Sequence, residues 1–140
     1  MTIDYITDEV SGISKAIITY KGRTFIGEAR LHPDDAWSNF FGCSLAEDRA
    51  MLKLNKTLYR EAKKKCDACR EFVNSLTQYK DFDPDSTVAK TIFRQLNRRI
   101  KEVNRLGDEI TMCELAIMQH TKTREKVLDL LNKNKSDKTV

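Results

Sequence analysis

Between residues 45 and 134 a single proline, Pro84, separates two long runs in which apolar residues recur every three or four positions. That spacing places a stripe on one side of an α-helix and fits nothing else of comparable length. The first stripe is Met51, Leu54, Leu58, Ala62, Cys66, Cys69, Val73 and Leu76. The second is Ile92, Leu96, Ile100, Val103, Leu106, Ile110, Cys113, Ile117, Val127 and Leu131, with His120 and Arg124 in two of its seam places. Gly107 lies inside the second run and costs about 1 kcal/mol relative to Ala in a helix interior. The apolar phase survives across it, which predicts one continuous helix. Asp81 to Ser86 is the break, with Pro84 and an Asp or Ser cap for the helix that follows. Ser44 followed by Glu47 forms a capping box, which predicts the start of the first helix at Leu45. The expectation is a long antiparallel helical hairpin over 44–134, with a frayed tail at 135–140.

Residues 1–43 carry a different pattern. Ala16, Ile18 and Tyr20 alternate along one strand, and Phe25, Gly27, Ala29 and Leu31 along the next. Lys21-Gly22 supplies the tight turn between strands expected over Lys15 to Tyr20 and Thr24 to His32, and Pro33 ends the second. Ile3, Tyr5 and Val10 suit a short first strand or an ordered arm. The fold class is therefore α+β, a small N-terminal antiparallel sheet followed by the helical hairpin. A chain of 140 residues suffices for one ordinary domain.

The formal charge of +4 is unevenly spread. Residues 1–50 hold five Lys or Arg against eight acids, and residues 51–140 hold twenty against thirteen. A basic helical end favours an anionic partner there, or pairing between protomers, over uniform coating of nucleic acid. No apolar run approaches the roughly 18 residues of a membrane span, and Met1 to Tyr5 lacks the basic-then-apolar order of a secretory leader. A cytoplasmic location and reduced thiols are expected for the four cysteines.

Candidate chemistry is sparse. Cys66-Asp-Ala-Cys69, with Cys43 and Cys113, contains the donors of a four-thiolate zinc site, yet both cysteines of the pair fall on the apolar stripe, where a thiol is ordinary core. No metal or other cofactor is expected. Asp81, Asp83 and Asp85 begin like a calcium loop, but Ser86 stands where the turn needs Gly and Ile92 where the bidentate Glu belongs. His32, beside Asp34 and Asp35, and His120 lack a nucleophile nearby in sequence, so no enzymatic activity is expected. The remaining signal is basic: Lys90, Arg94, Arg98, Arg99, Lys101 and Arg105 stand against one acid, Glu102. Arg94 and Arg98 lie one turn apart, with Asn97 three residues from Arg94. Two guanidinium forks and an amide at that spacing suit a diphosphate or paired carboxylates. Phe82 and Phe93 are the aromatic rings nearest to them for stacking on a base. The ligand-binding set is thus Phe82, Phe93, Arg94, Asn97 and Arg98. Pairing of the same arginines with acids of a neighbour is the simpler alternative.

The stretch Phe25-x-Gly27-x-Ala29, His32-Pro33-x-Asp35, a Gly, and a helix opening Leu45-Ala46-x-x-Arg49-Ala50 resembles the first type of anti-Thoeris protein, a group of small bacteriophage and prophage proteins. The resemblance covers roughly residues 13–60 and rests on Gly, Pro and Ala positions. It implies a non-enzymatic sponge that sequesters cyclic ADP-ribose isomers, in some members cyclic oligonucleotides, inside an infected bacterial cell. It also implies a homo-oligomer assembled through the helices, a dimer or a hexamer. The same stretch is similar to the sheet and last helix of double-stranded-RNA-binding domains, which open that helix with lysines. Here Leu45-Ala-Glu-Asp-Arg49 opens with two acids, against such a grip.

The leading expectation is a phage anti-defence sponge for a cyclic nucleotide signal, bound without cleavage between helices of a homo-oligomer. The alternative is a phage nucleic-acid-binding or scaffold protein using the basic helices.

Overall fold

A computed structural model describes residues 1–30 and 39–137, the last turns of the C-terminal helix in part by backbone alone. Three antiparallel strands, β1 (Thr2–Asp8), β2 (Ile13–Tyr20) and β3 (Arg23–Arg30), form one sheet in the order β1-β2-β3. Two helices follow, α1 (Asn39–Thr77) and α2 (Thr87–Asp137), so the α+β class and the helical hairpin are as expected. The chain divides into two compact units. One holds residues 1–54 and 111–140, and the other holds 55–110. Both helices pass from one unit into the other.

Lys21 and Gly22 take φ of 48° and 74°, the pair of positive values that matches a two-residue turn to the right-handed twist of its strands. The Lys21 ammonium lies 5.3 Å from the centre of the Tyr20 ring. The turn pairs Tyr20 with Arg23, so Ile18/Phe25, Ala16/Gly27 and Ser14/Ala29 exchange ladder hydrogen bonds, while Ile17/Ile26 and Lys15/Glu28 do not. Carbonyls of Ile26 and Glu28 therefore face the outer edge of β3. Arg49 Nη1 donates to the Glu28 carbonyl and Lys53 Nζ to the Ile26 carbonyl, each at 2.6 Å. Two long side chains of α1 thus cover that edge. The loop before β2 turns on Asp8, whose carboxylate accepts from the Val10 amide at 3.0 Å and whose carbonyl accepts from Gly12 at 2.9 Å.

One face of the sheet is buried under α1. Ala16 and Ile18 are fully enclosed, and Ala29, Ala46, Ala50 and Leu54 complete this core. Small residues meet here because backbone meets backbone. A Cβ built on Gly27 would collide with the Ala46 carbonyl and stand 2.5 Å from the Ala50 amide nitrogen. Along both helices every stripe residue whose side chain is described is buried or half-buried, with Leu54, Cys66, Val73 and Leu106 the deepest. Each fully buried aliphatic side chain stabilises by about 1.5–3 kcal/mol.

Several boundaries differ from those read in the sequence. Thr2–Asp8 is a full strand, whereas Val10 is 99% exposed in the turn after it. The first helix starts at Asn39, so Ser44 is an interior helical residue and not a cap; its hydroxyl faces His120 instead. An N-cap needs a non-helical residue, and the chain is already helical there. α2 is continuous through Gly107, and it extends to Asp137, past the expected end at 134. At Gly107 a Cβ would meet only the Tyr59 ring at 3.7 Å, an ordinary contact, so no steric demand explains this glycine. Of the Asp or Ser cap expected for α2, Ser86 takes the role, its Oγ accepting from the Ala89 amide at 3.1 Å. Leu31, His32, Pro33, Asp34, Asp35 and Trp37, and the tail from residue 138, lie outside the described residues, as do the side chains of Arg124, Val127 and Leu131.

Gly27→Ala is expected to destabilise the fold by at least about 3 kcal/mol, because neither colliding group is a flexible side-chain end. Gly22→Ala, where the space is open and only the positive φ is strained, should cost about 1 kcal/mol. Urea denaturation of both variants checks the order; equal midpoints would contradict the close approach.

Candidate functional site

The unit 55–110 holds thirteen Lys or Arg and nine Asp or Glu, whereas the other unit holds twelve of each, so the whole formal charge of +4 resides in 55–110. Within it α1 and α2 line an open groove of about 350 Å³. From α1 come Lys65, Ala68, Cys69 and Phe72, positions that share a helix face by their spacing of three, four and seven. From α2 come Gln95 and Arg99, one turn apart. Ala68 and Cys69 are small enough to leave the space. Phe72 is 54% exposed although it sits beside the apolar stripe, and two cations, Lys65 and Arg99, and the Gln95 amide line the same groove. An aromatic face, a guanidinium, an ammonium and an amide are the groups that hold a purine ring, a phosphate and a hydroxyl or base edge. The volume lies at the lower end of small-molecule sites.

The residues selected from the sequence lie in the same unit but do not line this groove. Arg94, Asn97 and Arg98 are exposed on α2, and Arg99 takes the lining place one residue, about 100° of helix rotation, away from Arg98. Phe82, in the connection between the helices, and Phe93 are half-buried and meet edge to face, ring centres 6.2 Å apart at 86°. Part of each ring is thus spent on closing the hairpin end. Arg105 is engaged by Glu102, Nη2 at 2.6 Å and Nε at 3.1 Å. That hydrogen bond holds the Glu102 carboxyl below its ordinary range. On α1 alone, Thr57, Arg60, Glu61, Lys63, Lys64 and Asp67 border a basic surface hollow of about 420 Å³.

A second polar cluster lies in the unit that contains the sheet. His120 Nε2 stands 2.8 Å from Asp48 Oδ2 and 3.5 Å from Ser44 Oγ. Serine, histidine and aspartate are together, yet both oxygens address one ring nitrogen. A relay that activates serine needs the carboxylate on the opposite nitrogen. The cluster therefore fastens α2 to α1 and leaves Ser44 an ordinary alcohol. Next to it, the Tyr5 phenol is directed at the Glu47 carboxylate, its acceptor. Desolvation, then the charge and hydrogen bond of Glu47, push that phenol above its ordinary value. Among the described residues no three His, Cys, Asp or Glu side chains converge on a metal position, and all four cysteines are free thiols.

Phe72, Lys65, Gln95 and Arg99 escaped the sequence reading. The signal for Phe72 was an aromatic one place off an otherwise regular stripe. Gln95 and Arg99 share an i,i+4 spacing that Arg94 and Arg98 share equally, so only the packing of α2 on α1 distinguishes the two pairs. Ser44, Asp48 and His120 are joined across more than seventy residues and left no local signal. No family model, curated protein or solved structure matches the chain.

Glu47→Gln is expected to bring the Tyr5 phenol down toward its ordinary value of about 10. A raised phenol favours the fold below its unfolded pKa and loses that contribution as pH rises through the raised one. The alkaline loss of stability should therefore shrink in Glu47→Gln, and NMR titration of the Tyr5 ring carbons reads the shift directly. An unmoved titration would remove Glu47 as a cause.

Proposed function

We propose that the protein is a non-catalytic sponge for a small anionic nucleotide, held in the groove of Lys65, Ala68, Cys69, Phe72, Gln95 and Arg99. The carrying observation is an exposed Phe72 that lines one groove with Lys65 and Arg99, in the unit that holds the chain's entire net positive charge. Phe72 offers a stacking face, Arg99 and Lys65 charge-assisted hydrogen bonds to a pyrophosphate, and Gln95 an amide for base or ribose. In the Ser44–His120–Asp48 cluster both oxygens address one ring nitrogen, an arrangement that does not activate the serine, and this supports retention over cleavage there. A cyclic ADP-ribose isomer, the ligand class implied by the resemblance over residues 13–60, combines those features. A groove this open retains a ligand tightly only when further surface closes over it. Assembly through the helices, where Met112, Leu115 and Met118 stand exposed on α2, is the route that the resemblance implies.

Basic residues outside the groove favour a second reading. Arg60, Lys63 and Lys64 on α1, with Arg94 and Arg98 exposed on α2, present cations to an extended polyanion, so binding of duplex RNA or DNA is the alternative.

The protein should retain cyclic ADP-ribose isomers through gel filtration and release them intact on heating. Lys65→Ala with Arg99→Ala should weaken retention by at least about a hundredfold, since each loses a charge-assisted hydrogen bond. Arg94→Ala with Arg98→Ala should leave it nearly unchanged; loss in that pair instead moves the site to the outer face of α2. A degraded product indicates an enzyme. No retention, together with duplex affinity that falls steeply with salt, supports the nucleic-acid reading.

A further inference from the structure

The two edges of the sheet are treated differently. On β3 the outward carbonyls of Ile26 and Glu28 are taken by Lys53 and Arg49. On β1 the corresponding groups follow from the ladder. β2 uses Ser14, Ala16 and Ile18 toward β3, so it uses Ile13, Lys15, Ile17 and Thr19 toward β1. Their partners are Asp8, Ile6, Asp4 and Thr2. The amides and carbonyls of Ile3, Tyr5 and Thr7 consequently face away from the sheet, and among the described residues no side chain caps them. Tyr5 and Ile6, on opposite faces of this strand, are 48% and 53% exposed. An uncovered strand edge flanked by apolar side chains is a template for another strand.

We propose that two copies of this chain join through the β1 edges, antiparallel about a two-fold axis at Tyr5, to make one continuous six-stranded sheet. The strand's own sequence selects this partner and this register. Antiparallel pairing of the outward groups requires Ile3, Tyr5 and Thr7 to face their counterparts, which leaves three registers overlapping at least five of the seven β1 residues. With Tyr5 opposite the partner's Ile3, the two Asp4 carboxylates stand directly opposite one another. With Tyr5 opposite the partner's Thr7, Asp4 faces the partner's Asp8, twice. Like charges directly opposed destabilise a strand pair. With Tyr5 opposite the partner's Tyr5, all seven residues overlap, Asp4 faces the partner's Ile6 and Asp8 the partner's Thr2, and no charge opposes its like. Each Asp4 then lies on a diagonal to the partner's Asp4 and to the partner's Asp8, about 7–8 Å away and open to water, a weaker opposition than the directly facing pairs of the other two registers. Because the axis is perpendicular to the sheet, both α1 helices lie on the same face of it. The unit containing β1 has twelve basic and twelve acidic residues, so no net repulsion opposes its self-association. This contact is independent of the nucleotide reading, and it differs from assembly through the helices.

Sedimentation of the full chain from low micromolar to hundreds of micromolar should show a monomer–dimer equilibrium. Tyr5→Pro removes an amide that the β1–β2 ladder does not use and should raise the dimer dissociation constant at least about tenfold, since two hydrogen bonds at the axis are lost. Far-UV circular dichroism confirms that the variant keeps its fold. If it does not, hydrogen exchange of the natural protein decides: the Tyr5 and Thr7 amides should be protected at high concentration and lose protection on dilution. A chain that stays monomeric overturns the proposal, as does a dimer unaffected by a folded Tyr5→Pro or one in which those two amides exchange freely.

Discussion

The approach of α1 to the sheet at Gly27 is the contact on which the N-terminal unit depends. With no Cβ at Gly27, the helix backbone at Ala46 and Ala50 comes within touching distance of the strand backbone. That proximity has two consequences. It excludes water from Ala16, Ile18 and Ala29, which are too small or too few to make a thick core. It also brings Arg49 and Lys53 within reach of the β3 edge, so the same helix that buries one face closes one side of the sheet. The opposite edge, on β1, is out of reach of those side chains. The asymmetry follows from where the helix lies over the sheet rather than from any property of β1 itself.

In the unit 55–110 the physical problem is different. Two amphipathic helices bury one stripe each, and the rest of their surface is charged. Cys66 and Val73 are buried there as packing residues, because small and medium apolar groups on facing stripes let the helices approach. Where Ala68, exposed, and Cys69, half-buried, border that seam, the same smallness leaves a groove. Packing and the groove thus come from one feature of the α1 sequence, and a larger residue at 68 would fill the space that Phe72, Lys65, Gln95 and Arg99 border.

Much of the fold was legible because its determinants are local. The period of Met51 to Leu76 and of Ile92 to Ile117 specifies helices and the side each buries, and the Lys21-Gly22 turn fixes the register of β2 against β3. Local signals did not decide where a residue had two possible uses. Ser44 and Glu47 form a capping pattern, but the chain is helical from Asn39, and Ser44 turns instead to His120 on α2. Arg94, Asn97 and Arg98 have a spacing fit for a phosphate, but so do Gln95 and Arg99, and a helix wheel alone does not say which pair borders the other helix.

By itself the sequence determined the type and order of the hairpin strands and the two helices, the buried stripes, an Asp or Ser cap for α2 and the concentration of positive charge in the helices. These depend on side-chain period, turn conformation and composition, all of which are written within a few residues of one another. Tertiary structure decided which cations share a groove with an exposed aromatic ring, which histidine meets which carboxylate, and which sheet edge is covered. Those outcomes depend on the distance and rotation of one element against another, set by packing between residues far apart in the chain, and no local spacing encodes them.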